Sequence, residues 1–263
     1  MLLPRLMGHR GFAARAPENT LSALRAAAEA GIRWVEIDVQ LLADGTPVIW
    51  HDAHMARCSN SRAFLSQVGL AEARRFDVGS WFSPEFAGER IATLEEALAT
   101  VNELGLGLNL EIKVSTARDP LRLTEAVVPL LNGALPSDRL LLSSFSQEAL
   151  YRAHRLDPSL NLGILYDEKV PRVWQWDVER VGAVSIHANW ENLNPNIVKE
   201  MRQKGLEVVC YTVNDPEAFS PWWECGVNSV ISDDPTLFSQ LSDAAEYPQG
   251  EDNEHQPSDP IAD

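Results

Sequence analysis

Cysteine is scarce in this chain. There are three, Cys58, Cys210 and Cys225, widely spaced, with no CxxC or Cys/His ligand pattern. That excludes a disulfide framework and a thiolate metal site. Positive charge is also short. Lys and Arg number 22 against 38 Asp and Glu, a formal net charge of −16, and none follows Lys204. This balance argues against broad binding to nucleic acid or to an anionic membrane. It leaves room for an anionic substrate, because a site can hold local positive charge or a metal ion. No run of about 18 apolar residues exists, so no membrane span is predicted. The opening "MLLPRLMGHRG" is too short for a signal peptide and is interrupted by Pro4 and Arg5. A cytoplasmic protein is therefore expected, with no nucleic-acid partner and no stable membrane association. Nothing in the pattern specifies an oligomeric state.

What is present is ample for one large core. The chain has 263 residues, 45% of them hydrophobic and 23% charged. That length is close to the roughly 250 of a single β/α barrel. Short β-like runs alternate with helical patterns. "RLMGH" precedes the helix "NTLSALRAAAEAG", and "WVEIDVQLL" and "PVIWHD" flank the turn "ADGT". After an irregular, Gly-, Pro- and aromatic-bearing stretch the strands "GLNLEIKV", "RLLLSSF", "NLGILY", "AVSIHA", "LEVVCYTV" and "SVIS" recur between helices. The order predicts an α/β fold, a single TIM-type (β/α)8 barrel over residues 1–243, with a loop-rich insertion at about 53–91. An open doubly wound sheet is the competing fold, but "GHRGF" is no GxGxxG fingerprint. Residues 244–263 are acidic and poor in large apolar groups, which predicts a disordered tail.

In a barrel the site lies at the C-terminal ends of the strands. Polar residues gather there repeatedly: His9 and Arg10, Glu36 and Asp38, His51 and Asp52, Glu111 and Lys113, Ser143 and Ser144, His187, Asp233. Side chains alternate along a strand, so Glu36 shares a face with Asp38, and Glu111 with Lys113. Three inward carboxylates would repel one another and resist desolvation. A hard divalent cation, Mg²⁺ or Ca²⁺, relieves both problems. Arg10 and Lys113 would offset an anionic substrate, most simply a phosphate. His54, His154 and His255 read as surface residues, and His187 as either a pocket or a supporting group. The aromatics Trp81, Phe82, Phe86, Trp174, Trp176 and Trp190 fit a pocket rim or an ordinary satellite core equally.

The run "HRG…PENT…G…VEIDV…DG.PV..HD" resembles the signature of the glycerophosphodiester phosphodiesterases, and "TLEEAL", "LEIK", "LSSF", "YTVND" and "GVNSVISDDP" extend the match over almost the whole folded chain. "VSIHANWENLN" is similar to the cytoplasmic bacterial branch. The sequence departs from the pattern at Leu42, Ala92 and Ser232, none of which removes a functional group. The resemblance implies metal-dependent hydrolysis of a small glycerophosphodiester to sn-glycerol 3-phosphate and an alcohol. It makes Glu36, Asp38 and Glu111 metal ligands, His9 and His51 an acid/base pair, and Arg10 and Lys113 substrate-binding groups. His9 is favoured as base and His51 as acid, and Asp52 as an orienting group that reaches His51 indirectly. Two rival readings are a phospholipase-type enzyme acting on a lipid phosphodiester and a barrel that binds without catalysis.

Overall fold

Eight parallel strands close on themselves around a packed interior. The computed structural model describes residues 2–114 and 119–238. In chain order the strands are β1 (Leu6–Gly8), β2 (Trp34–Leu41), β3 (Pro47–Ile49), β4 (Gly107–Ile112), β5 (Leu140–Ser144), β6 (Leu162–Tyr166), β7 (Ser185–Asn189), β8 (Glu207–Tyr211) and β9 (Ser229–Ser232). The staves run β1-β2-β4-β5-β6-β7-β8-β9, and β1 pairs with β9 to seal the barrel. The expected acidic tail lies outside the described residues.

The helices are α1 (Leu21–Glu29), α2 (Leu70–Ala73), α3 (Leu94–Glu103), α4 (Pro120–Leu131), α5 (Gln147–Leu156), α6 (Trp174–Val181), α7 (Pro195–Gln203) and α8 (Pro216–Cys225). Their starts are written locally. The Thr20 hydroxyl accepts from Ala23 N, and Thr93 and Glu96 form a reciprocal capping box at α3. Pro opens α4, α7 and α8 one residue after an Asp or Asn cap, where its missing N–H costs nothing. No described helix is long and apolar enough to cross a membrane.

Every residue of β2 and β4 is buried, as strands covered on both faces require. Outward side chains pack against the helices in two large clusters, one around β2 to β6 and one around β6 to β9. The inward layer includes Met7, Trp34, Leu141, Val209 and Ile231. His187 also points inward, fully buried, its Nε2 3.0 Å from Ser185 Oγ. A Cβ on Gly163 would stand 2.6 Å from that nitrogen, so glycine there makes room for the imidazole. Burial alone pushes the His187 pKa down to about 3. It is a neutral core group that does not line the cavity described below.

The short strand read in "PVIWHD" is β3, which ends at Ile49 and is not one of the barrel staves. β3 runs antiparallel on β2, pairing Val39 with Ile49 and Leu41 with Pro47. The turn Ala43–Thr46 is too short for a crossover, so it returns as a hairpin. The insertion follows β3 and folds under it, burying Met55, Cys58, Leu65, Val68, Val78 and Ile91 against Leu42, Val48 and Trp50. Its loops, two 3-10 turns and the short α2 close over a satellite core.

Candidate active site

Register brings the carboxylates together. β2 and β4 are neighbours, with Asp38 opposite Glu111 and Glu36 opposite Asn109. Opposed residues on adjacent parallel strands project to the same side, so alternation turns all four inward. Glu36, Asp38 and Glu111 each offer an oxygen within 4.8 Å of the others, and all three are buried. Burial and the charges of Asp38 and Glu111 hold Glu36 well above the usual carboxylate range. Burial and Asp38 push Glu111 up to about 7. Burial also pushes Asp38 up, but Lys113 and Arg10 outweigh it and leave that carboxyl low.

The positive groups stand directly against this cluster. Lys113 Nζ is 2.8 Å from Glu111 Oε1 and 3.5 Å from Asp38 Oδ1. Arg10 Nε is 3.6 Å from Asp38 Oδ2, and the Arg10 backbone N–H donates to Glu36 Oε2 at 3.1 Å. That last bond depends on backbone shape. Arg10 has φ of 51°, a left-handed conformation that costs a non-glycine residue on the order of 1 kcal/mol. Asn19, with φ of 52°, accepts from the Asp38 N–H and donates to its carboxylate at 2.8 Å. Gly11 completes the turn after β1; a Cβ there would come within 2.6 Å of Ala23 Cβ.

Two imidazoles face the same cavity. His9 follows β1 and its Nδ1 lies 2.6 Å from Asp233 Oδ1. His51 follows β3 and its Nδ1 lies 2.7 Å from Asp52 Oδ1. An ionised carboxylate only accepts, so each Nδ1 carries the proton and each Nε2 is left for the cavity. His9 Nε2 is 3.9 Å from Glu36 Oε2. Because His51 lies beyond the end of its strand, the opposed alternation expected for residues 51 and 52 does not apply, and Asp52 touches it directly. Asp52 is itself held by Arg57 Nε at 2.8 Å. Arg57 also grips Glu18 through both terminal nitrogens, at 2.6 and 2.7 Å, and Glu18 holds Arg10 at 2.6 Å.

These groups line one cavity of about 420 Å³: His9, Arg10, Glu36, Asp38, His51, Glu111 and Lys113 all reach it. A wider groove of about 570 Å³ beside α1 is lined by Phe12, Arg15 and Arg25 among others, and contains no group of converging buried carboxylates. All seven site residues read from the sequence are therefore brought together.

Comparison with known proteins gives the same direction. Residues 9–237 match the model of the glycerophosphoryl diester phosphodiesterase family. A glycerophosphodiester phosphodiesterase of Caldanaerobacter subterraneus subsp. tengcongensis is 31% identical over 236 residues, 90% of this chain and 96% of that protein. The chain belongs to this family. Among solved structures, a phosphodiesterase of Oleispira antarctica, determined with its product sn-glycerol 3-phosphate, superposes with a TM-score of 0.87 at 35% identity, covering 92% of this chain and 97% of the other. A glycerophosphoryl diester phosphodiesterase homologue of Silicibacter pomeroyi does so at 0.80 and 25%, over 94% and 96%.

Several parts of this phosphodiesterase site were not singled out by sequence. Asp233 was seen at a strand end but not linked to His9. Arg57 and Glu18 carry no periodic signal. Asn109, which the sequence did not mark, lines the cavity fully buried beside Ser143, which was read at its strand end without a role; neither amide atom of Asn109 nor Ser143 Oγ has a protein partner among the described residues. The aromatic lining is Phe145 and Tyr211. None of the six aromatics considered from the sequence reaches it: Trp81, Phe82 and Phe86 stack edge to face on the insertion, Trp174 is core, Trp176 lies under Arg180, and Trp190 packs on Phe219.

Proposed function

We propose that this phosphodiesterase cleaves water-soluble glycerophosphodiesters to sn-glycerol 3-phosphate and an alcohol, using a divalent cation and two histidines. The observation that carries the reading is the convergence of three buried carboxylates, two cations and two carboxylate-backed imidazoles on one cavity. The carboxylate cluster fits a hard cation. Three desolvated like charges are unfavourable alone, and the upward shifts of Glu36 and Glu111 register that cost. Glu36, Asp38 and Glu111 would hold Mg²⁺ or Ca²⁺ through oxygen ligands. Such an ion, when bound, supplies Lewis-acid neutralisation of a phosphate oxygen.

The chain's own residues supply the rest. A phosphodiester is anionic and its leaving alkoxide is poor, so the reaction needs charge neutralisation and two proton transfers. Arg10 and Lys113 hold the remaining non-bridging oxygen. One imidazole takes the proton of the attacking oxygen at Nε2. The other, protonated, gives its Nε2 proton to the departing alcohol oxygen as the P–O bond breaks. Both rings present the same nitrogen because both are pinned at Nδ1, so one geometry serves either direction of transfer.

A metal-by-substrate activity matrix tests this, with glycerol 3-phosphate release as the readout. Chelation should abolish turnover, and added Mg²⁺ or Ca²⁺ should restore it. Full activity after exhaustive chelation would refute the cation. Failure to release glycerol 3-phosphate from any glycerophosphodiester would refute the activity.

A further inference from the structure

The turn that carries His51 is held from β2 by one side chain. Gln40 follows Glu36 and Asp38 on the same face of that strand and is 2% exposed. Its Nε2 donates to three successive backbone carbonyls, Trp50 O at 3.1 Å, His51 O at 2.6 Å and Asp52 O at 3.0 Å. Three acceptors around one nitrogen fix the orientation of the amide, and because that nitrogen has only two hydrogens one of them is shared. Among the described residues no backbone N–H reaches these carbonyls. Gln40 Oε1 is buried with no protein partner among the described residues. A buried acceptor left unpaired is unfavourable, so the nitrogen is what glutamine contributes here that an apolar side chain of its size would not.

The three bonds account for a contact that an extended chain could not make. Along a strand successive carbonyls alternate in direction, and so do successive side chains. The carbonyls of Trp50, His51 and Asp52 instead converge on one atom, so the backbone curls as it leaves β3. The curl turns the side chains of His51 and Asp52 to the same side, where His51 Nδ1 meets Asp52 Oδ1 at 2.7 Å. The Trp50 N–H donates to Asp38 O at 3.0 Å and anchors the start of the curl to β2. One strand thus carries Glu36 and Asp38 of the carboxylate cluster and sets, through Gln40, where the His51 ring stands relative to them.

We infer that Gln40 is a positioning residue for phosphodiester cleavage: by gathering three carbonyls it shapes the turn in which Asp52 fixes the His51 tautomer and Nε2 is aimed into the cavity. The inference rests on the two-histidine reading and deepens it. Gln40 is not among the groups that line the cavity, so it touches no substrate atom and moves no proton. None of the three carbonyls belongs to the His9 arm, so its effect is confined to His51.

Two substitutions test this. Gln40→Met keeps the volume and removes the donor, and Gln40→Asn keeps an amide too short to reach all three carbonyls, so either can stand in if the other does not fold. Both should lower kcat for glycerophosphocholine by about 10- to 100-fold, the cost of a reacting group out of place, with KM within about twofold of wild type. In a His51→Ala background neither should lower kcat by more than about twofold, since the ring they aim is gone. Nitrogen NMR of the His51 ring should change from the single Nδ1–H tautomer in the wild type to a mixture of tautomers in both variants. Turnover within about twofold of wild type, an equal loss with and without the His51 ring, or a tautomer unmoved by either substitution would each overturn the role of Gln40 and leave the phosphodiesterase reading in place. Wild-type protein that releases glycerol 3-phosphate from no glycerophosphodiester would refute that reading and the role of Gln40 with it.

Discussion

The two histidine arms of the site reach one cavity from different parts of the molecule. His9 belongs to the barrel closure. Its N–H bonds Ser232 O across the β1–β9 seam, and its partner Asp233 is fixed by Asn214 Nδ2 at 2.6 Å. Every member of that arm leaves a barrel stave. His51 belongs to the β3 hairpin, and its partner Asp52 is fixed by Arg57, from the insertion. A neutral amide backs one carboxylate and a guanidinium backs the other. The amide leaves Asp233 its charge, whereas Arg57 neutralises much of that of Asp52. Burial raises the Asp52 pKa, but hydrogen bonds from Arg57 and His51 outweigh it and bring it to about 2. Burial, with Arg10 and Lys113, also holds the His51 imidazolium below its ordinary range against the pull of Asp38. The arms teach that two imidazoles can be aimed alike while their electrostatic support differs.

Deleting either ring is the coarsest way to break the comparison. His9→Ala and His51→Ala should each lower kcat by roughly 10² or more, the scale of general acid–base catalysis. Steady-state release of glycerol 3-phosphate measures it. Near-normal turnover in one variant would leave a single working arm and end the two-histidine reading.

Exchanging the carboxylates asks for less. Asp233→Asn and Asp52→Asn keep the shape but can donate to Nδ1, which permits the wrong tautomer. Each should cost about 10- to 100-fold in kcat, as for groups that orient a reacting side chain. Equal KM values across the wild type and both variants would place the whole effect on the chemical step. A loss confined to KM would show that these acids touch substrate.

How much of this was written in the sequence depends on distance along the chain. Glu36 with Asp38, and Glu111 with Lys113, are two residues apart on strands, so alternation alone put each pair on one face. Pairing Asp38 with Glu111 followed from two staves being neighbours. His9 and Arg10 were legible because a residue just after a stave lies at the active end. Asp233 lies 224 positions from His9, and only the seam between β1 and β9 unites them. Arg57 sits in a segment with no periodicity, where packing against β3 decides its place. The aromatic lining failed for a related reason. Trp81 and Phe82 are conspicuous by composition, whereas Phe145 and Tyr211 line the cavity because they end staves.

The next step down in effect compares the backing groups themselves. Arg57 serves two masters, Asp52 and, through Glu18, Arg10. Arg57→Met should therefore lower kcat and raise KM together, about tenfold in kcat/KM. Arg57→Lys should recover only part, because an ammonium cannot reproduce a bidentate fork. Asn214→Ala touches only the His9 arm and should reduce kcat about threefold with KM unmoved. Identical kinetic signatures for Arg57→Met and Asn214→Ala would show that the insertion does not brace the phosphate side.

The smallest effect is on acid stability. The folded Asp52 pKa, about 2, lies below its ordinary 3.8. A depressed carboxylate stabilises the fold above its unfolded value, and that contribution is lost as pH falls through the folded value. The window is therefore pH 4 down to 2. With its side chain one-fifth exposed, Asp52 should contribute about 1–2 kcal/mol across it after allowing for solvent screening. Urea unfolding at pH 4, 3 and 2 should show the wild type losing more stability than Asp52→Asn. Arg57→Met, which removes the main cause of the shift, should lie between them. Parallel losses in all three proteins would mean that Arg57 exerts no pull on Asp52 in solution, and the electrostatic contrast between the arms would fall.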